Sequence, residues 1–292
     1  MCGLTGLIDL RRSTPGSELA RLASDMAATI EHRGPDDGGV WVDEMVGLAL
    51  GFQRLSIIDL SSAGRQPMVS ASGRHVILFN GEVYNAAEFR PELEAKCISL
   101  RGASDTEVVL EACEAWGIAT AVRRFVGMFA FAIWNQQDRM LCLVRDRLGI
   151  KPLYIGRCGD TFFFGSQPKS FVPHPDWQPR IDGTALAEYL QRNYVPNHLS
   201  IYSGIRQVAP GGIVTINNLS AAEPFYRLRE ELYWNFRAVA RTGVRQRFQG
   251  DVREAGDELE RLLHEAVACR LIADVPLGAF LSGGSTVRRW SH

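Results

Sequence analysis

Cys2 stands directly behind the initiator methionine and ahead of Gly3. Removal of a starting methionine is favoured when the next side chain is small, and it would leave one residue carrying both a thiol and an α-amine. That amine, with an ordinary pKa of about 7.7–8.0, can act as the base for its own residue's nucleophile, as a chain terminus does where it replaces a histidine. An incidental cysteine at position 2 would look the same. The rest of the chain must decide.

The elements that would have to position such a thiol are legible in outline. Gly3 to Leu10 reads as a short apolar strand. Leu19, Leu22, Ala23, Met26, Ala27 and Ile30 recur at helical spacing and predict an amphipathic helix ending near His32. Arg33-Gly34-Pro35-Asp36 opens a polar loop, and strand-like pieces follow between Val40 and Ile58. The run His75 to Phe79 predicts a strand that stops at Asn80-Gly81, a dipeptide suited to positive φ in a tight turn. Helices are expected at 92–96 and 106–115, with Asp105 near the start of the second. Strands are expected at 129–134, 140–144 and 161–165, with a hairpin loop over Asn135 to Asp138. Strands and helices in this order, with hairpins, predict an α+β layered sandwich of mainly antiparallel sheets.

Later segments are less regular. Leu186 to Gln191 reads as helix and Tyr194 to Gly212 as an irregular stretch. An Arg- and Gln-rich passage near Arg237 to Asp251 predicts a linker. Beyond it Val252, Ala255, Leu259, Leu262, Leu263, Ala266 and Val267 line one face of a helix capped by Asp251 and Glu254. Leu277 to Leu281 reads as a buried strand running into Ser282-Gly283-Gly284.

Composition excludes several classes. The chain has 292 residues, 46% hydrophobic and 22% charged, with a net charge of −1. Such a balance offers no bulk attraction to nucleic acid or an anionic membrane. The longest apolar run, Phe125 to Trp134, is too short to span a bilayer. No secretory leader pattern opens the chain. Cys2, Cys97, Cys113, Cys142, Cys158 and Cys269 form no CxxC pair. The expectation is a cytoplasmic protein with no disulfide framework and no metal site.

The ordered motifs Met1-Cys2-Gly3, Arg33-Gly34-Pro35-Asp36, Arg54-Leu55-Ser56-Ile57, Asn80-Gly81-Glu82-Val83-Tyr84-Asn85 and Ser104-Asp105-Thr106-Glu107 resemble the class II glutamine amidotransferases. Arg145 to Tyr154, Phe164-Gly165-Ser166 and Ala273 to Gly284 resemble the asparagine synthetase B-like branch of that family. The resemblance implies a four-layer αββα N-terminal nucleophile hydrolase sandwich over residues 2–215, then a linker at 216–250. Residues 251–292 would begin an α/β ATP-pyrophosphatase domain, left incomplete. It also admits a homodimer.

It further implies that Cys2 attacks the side-chain amide of glutamine. Asn80, through its side chain, and Gly81, through its backbone N–H, would stabilise the oxyanion. Arg54 would grip the carboxylate of free glutamine bidentately, while Asp105, helped by Glu82, would hold its ammonium group. The Arg33 to Asp36 loop is read as shaping and covering the pocket, outside the catalytic set, and His32 as a helix-end residue. The glutaminase half needs no cofactor.

For the intact family, ATP and Mg are implied, with aspartate or another carboxylate as the ammonia acceptor. Ser282, Gly283 and Gly284 match the start of the phosphate loop, but Ser285-Thr286-Val287 replaces the rest of its pattern, and the tail to His292 resembles nothing in the family. The expectation is a chain cut short, able to release ammonia but without a working ATP site. Two readings compete with it: amidation of another acceptor, such as a sugar acid, and a non-catalytic product.

Overall fold

The computed structural model describes residues 1–55, 64–217, 227–271 and 278. The chain divides into two compact units, Met1–Arg247 and Phe248–His292. In the first unit, β1 (Gly3–Asp9) leads into α1 (Gly16–Ala28), and then β2 (Asp37–Asp43) and β3 (Leu48–Arg54). A two-residue strand β4 (Met68–Val69) precedes β5 (His75–Val83), followed by α2 (Ala86–Glu94), α3 (Asp105–Trp116) and α4 (Ile118–Arg124). The hairpin β6 (Gly127–Asn135) and β7 (Met140–Arg145) comes next, and then β8 (Tyr154–Cys158) and β9 (Thr161–Gly165). Helix α5 (Gly183–Arg192), β10 (Ile205–Gln207), β11 (Gly212–Asn217), β12 (Arg227–Leu232) and α6 (Phe236–Arg245) complete the unit.

Two antiparallel sheets result, in the orders β10-β8-β9-β1-β3-β2 and β12-β11-β7-β6-β5-β4. Alternation along each strand divides the apolar residues between three layers. Leu4 and Ile8 of β1, with Leu48, Leu50 and Phe52 of β3, meet Val76, Leu78, Ala130, Ala132 and Trp134 between the sheets. On the outer face of the first sheet, Leu7, Ala49 and Phe163 pack under Leu19, Leu22, Ala23 and Met26 of α1. On the outer face of the second, Ile77, Phe79, Phe129 and Phe131 pack under Phe89, Leu93 and Val108 to Leu110 of α2 and α3. The order helix, sheet, sheet, helix is the αββα sandwich that the resemblance implies.

Three local expectations differ from what the chain does. First, β5 does not stop at Asn80-Gly81 but runs through to Val83, with Asn80 opposite Ala130 and Gly81 opposite Phe129. Gly81 is not among the positive-φ glycines. It serves close approach instead: a Cβ there would fall on the Met128 carbonyl oxygen and lie 2.6 Å from the Phe129 Cα. Second, the expected linker at 216–250 holds a strand and a helix. β12 pairs along its whole length with β11, and its charged residues are those of an edge strand kept unattractive to further pairing. Third, α1 ends at Ala28, and His32 lies exposed beyond it, in a 3₁₀ turn over Glu31–Arg33.

In the second unit, α7 (Val252–Ala268) starts at the expected capping box. The Glu254 N–H donates to Asp251 Oδ1 at 2.8 Å, and the Asp251 N–H donates to Glu254 Oε2 at 2.9 Å. The sequence expectations for Leu277, Ser282, Gly283 and Gly284 lie outside the described residues. No described helix is long and apolar enough to cross a membrane.

Candidate active site

Strand β1 carries Cys2 to one end of the space between the sheets, beside the end of β3. The Leu55 N–H donates to the Cys2 sulfur at 3.4 Å, and the thiol donates to the Leu55 carbonyl at 3.5 Å. Burial pushes the Cys2 thiol above its ordinary range, while the Leu55 hydrogen bond and the charges of the chain terminus, Arg54 and Lys151 oppose that rise. As a neutral thiol at neutral pH, it needs a base before it can attack. Burial also lowers the terminal amine of Met1 below its ordinary value.

Arg33 holds the other side of Cys2. Its Nε donates to the Cys2 carbonyl at 3.0 Å, and its buried Nη2 has no hydrogen-bond partner among the described residues. Glycines make that approach feasible. A Cβ on Gly3 would lie 3.3 Å from Arg33 Cδ, and one on Gly34 would lie 2.6 Å from the Leu55 nitrogen. The loop expected to cover the pocket therefore packs against its floor.

Cys2, Arg54, Leu55, Gly64, Gln66, Phe79, Gly81, Glu82, Ser104, Asp105 and Thr106 line one pocket. Five of the six glutaminase-site residues expected from sequence are among them. The sixth, Asn80, is buried next to it on β5, and its Nδ2 has no hydrogen-bond partner among the described residues. A buried amide donor left in this way is costly unless something else uses it. Asn80 shares the inward face of β5 with Val76 and Leu78, which places it in the layer that Cys2 packs against.

Asp105 is the first residue of α3, after the N-cap Ser104, whose hydroxyl accepts from the Thr106 N–H at 3.1 Å. Its Oδ2 accepts the Val83 N–H at 2.9 Å. Burial lifts the carboxyl to about 6, with Glu82 adding repulsion and the Val83 bond opposing both. Glu107, two residues on, accepts from the backbone of Arg101 and Gly102 and from the Arg101 side chain at 2.9–3.0 Å, and so ties down the loop entering α3.

Sequence reasoning missed three contributors. Arg33 was in a motif already noted as shaping the pocket, but its bond to the Cys2 carbonyl carries no sequence signal. Gln66 carries no signal beyond a loop position next to Pro67. Lys151 is buried behind the pocket, and burial lowers its pKa, while Glu82 and Cys2 act to raise it. Asp146 accepts the Lys151 N–H at 2.9 Å and Arg145 Nε donates to the Lys151 carbonyl at 2.8 Å, which fixes its backbone.

A thiol at Cys2, a cation at Arg54 and carboxylates at Asp105 and Glu82 around one small pocket suit a zwitterionic amino acid whose side-chain end reaches the Cys2 sulfur. The chain matches the glutamine amidotransferase domain model over residues 1–227 and an asparagine synthase model over residues 258–285. It is 34% identical to asparagine synthetase (glutamine-hydrolyzing) 3 of Bacillus subtilis, over 97% of this chain and 44% of that protein. With asparagine synthetase 1 of the same organism it shares 36% identity, over 97% of this chain and 42% of that one. The chain thus spans less than half the length of these relatives. Among solved structures, the glutamine phosphoribosylpyrophosphate amidotransferase of B. subtilis superposes with a TM-score of 0.56 at 18% identity, over 80% of this chain and 49% of that one, a likeness of fold.

Proposed function

Since the chain belongs to the glutamine amidotransferase family, we propose that it hydrolyses glutamine, with Cys2 as nucleophile after removal of Met1. One observation carries the reading: the Cys2 thiol, Arg54, Gly81, Glu82 and Asp105 line the same pocket. Arg54 binds the substrate carboxylate, and Asp105 and Glu82 bind its ammonium group, which brings the side-chain amide to the thiol.

The freed Cys2 amine takes the thiol proton as sulfur bonds to the amide carbon. Charge on the amide oxygen is met by the Asn80 Nδ2 and the Gly81 N–H, a type of interaction whose loss costs on the order of 3 kcal/mol. The carbon–nitrogen bond then breaks, the amine returns its proton to the departing nitrogen, and ammonia leaves a thioester on Cys2. Water adds to that thioester, and glutamate and the free thiol are released. While Met1 is attached, the Cys2 nitrogen is a peptide nitrogen and cannot act as the base.

The relatives are named asparagine synthetases that hydrolyse glutamine, which supports asparagine as the product of the full-length family protein; aspartate as acceptor and ATP as its activator are our reading of that name. We assign residues 2–215 to the glutaminase and 251–292 to the start of the ATP-dependent part. Ser285-Thr286-Val287 departs from the family's phosphate-loop pattern, so this chain assayed alone is expected to make no ATP-dependent product.

The test is glutamate release from glutamine by protein whose mass shows loss of Met1, compared with Cys2→Ala. Release by the wild type and none by the variant is the expected outcome. Folded protein that releases no Cys2-dependent glutamate would overturn the reading. Asparagine formed with added ATP and aspartate would overturn the second part alone.

A further inference from the structure

The edge of β5 that faces the pocket is closed by a side chain and not by a strand. β4 pairs Met68 with Ile77 and Val69 with Val76, and the Ser70 N–H donates to the His75 carbonyl at 2.9 Å. Residues 75, 77, 79, 81 and 83 therefore turn their backbone groups to this edge, since the intervening residues bond to β6, as the Tyr84 N–H does to the Val126 carbonyl at 2.8 Å. Continued in the same register, β4 would place Gln66 opposite Phe79 and Gly64 opposite Gly81.

The chain leaves that register at Gln66. Its side-chain amide makes both bonds a strand residue would have made: the Phe79 N–H donates to Oε1 at 2.6 Å, and Nε2 donates to the Phe79 carbonyl at 3.1 Å. Four residues further along, the Val83 N–H is taken by Asp105. Between them lies Gly81, whose N–H faces the pocket that Gln66, Gly64 and Gly81 all line. The Gln66 backbone is held from the other sheet: a Cβ on Gly39 of β2 would fall on the Gln66 carbonyl oxygen and lie 3.0 Å from Pro67 Cδ. Gln66 is thus buried between the two sheets at the pocket wall.

We propose that Gln66 is a positioning residue for amide hydrolysis: its side-chain amide ends the β4–β5 ladder one register step early and so keeps the Gly81 N–H available to the substrate oxygen. A backbone strand in the same place would continue to Gly64 and consume that donor. An apolar side chain would leave both Phe79 groups unpaired and the edge free to shift. The inference rests on glutamine hydrolysis at Cys2, and the test keeps the two apart.

Gln66→Met and Gln66→Glu are compared with the wild type for kcat and KM with glutamine, for alkylation of Cys2 by iodoacetamide, and for thermal midpoint. Gln66→Met is expected to lower kcat about 10- to 100-fold, as a misplaced donor does, with KM and Cys2 alkylation within about twofold. Gln66→Glu supplies the decisive readout. A protonated carboxyl can accept from the Phe79 N–H and donate to its carbonyl, whereas a carboxylate can only accept. At saturating glutamine its kcat, relative to wild type, is expected to rise as pH falls, a limb that the wild type and Gln66→Met lack. Unchanged kcat in both variants, or a loss in Gln66→Glu that ignores pH, would overturn the proposal. Loss of Cys2-dependent activity from the wild type itself would instead strike the reading it rests on.

Discussion

The Leu55 N–H points at the Cys2 sulfur from 3.4 Å, and Leu55 directly follows Arg54 at the end of β3. The nucleophile and the proposed carboxylate clamp are therefore set by adjacent antiparallel strands, with Gly3 opposite Gln53. Backbone geometry spaces them, not a flexible loop. Any change to the start of β1 should thus be felt in the chemistry.

Retention of Met1 should abolish most activity. A variant with a residue inserted before Cys2, so that processing leaves that residue in place, keeps the thiol but offers only a peptide nitrogen beside it. Loss of an internal general base should lower kcat on the order of 10²- to 10⁴-fold. Intact mass and steady-state glutamate release check this, and undiminished kcat in the extended protein would rule out the Cys2 amine as base.

Asp105 predicts an acid limb in substrate binding. Its carboxyl is raised to about 6 by burial, and only the carboxylate attracts an ammonium group. Below pH 6 the KM for glutamine should climb, approaching about tenfold per pH unit, while kcat responds less. The sign for stability is opposite. The folded state favours the neutral acid, so this group's contribution is lost as pH rises from the ordinary carboxylate range through about 6. Asp105→Asn should flatten both trends, seen in KM and thermal midpoint across pH 4.5–8.

Lys151 should tune the thiol. Its charge acts to lower the Cys2 pKa, against the rise from burial. Lys151→Met should therefore move the midpoint of Cys2 alkylation with pH upward, and Lys151→Arg should restore most of it. Peptide mapping separates Cys2 from the exposed Cys97. An unmoved midpoint in Lys151→Met would count against electrostatic coupling.

The two proposed oxyanion donors should fail differently. Gly81→Ala places a methyl against β6 backbone, 2.6 Å from the Phe129 Cα. Overpacking of that kind costs about 1–3 kcal/mol, which a denaturant melt would register together with lost activity. Asn80→Ala removes a buried donor that has no partner among the described residues, so stability should change little while kcat falls on the order of 10²- to 10³-fold. Equal stability losses in both would contradict this division.

Arg54→Lys keeps the charge but not the planar fork. Removing one charge-assisted hydrogen bond costs about 1.5–3 kcal/mol, so KM for glutamine should rise on the order of 10- to 100-fold with kcat less affected. Kinetics over a wide glutamine range would show the split, and an unchanged KM would exclude Arg54 as the carboxylate clamp.

Much of this site was legible in the chain itself. The spaced motifs around Cys2, Arg54, Asn80-Gly81 and Asp105 name side chains whose chemistry does not depend on where they sit, and apolar alternation announced the sheets they share. What failed was local. Asn80-Gly81 reads as a turn because glycine's freedom and glycine's small size leave the same letter. Only the β6 backbone pressed against Gly81 tells the two apart. The charged strand β12 read as linker because edge strands and linkers are both polar.

The sequence by itself determined which groups could react and which layers could form, since side-chain chemistry and hydrophobic period are local properties. Tertiary structure decided the rest. It turned Arg33 onto the Cys2 carbonyl, raised Asp105 by enclosing it beside Glu82, and set the Gln66 amide against Phe79 so that the Gly81 N–H faces the pocket. Which edge a backbone donor faces, and what already occupies it, depends on strand register between segments distant in sequence, and no side-chain pattern records that.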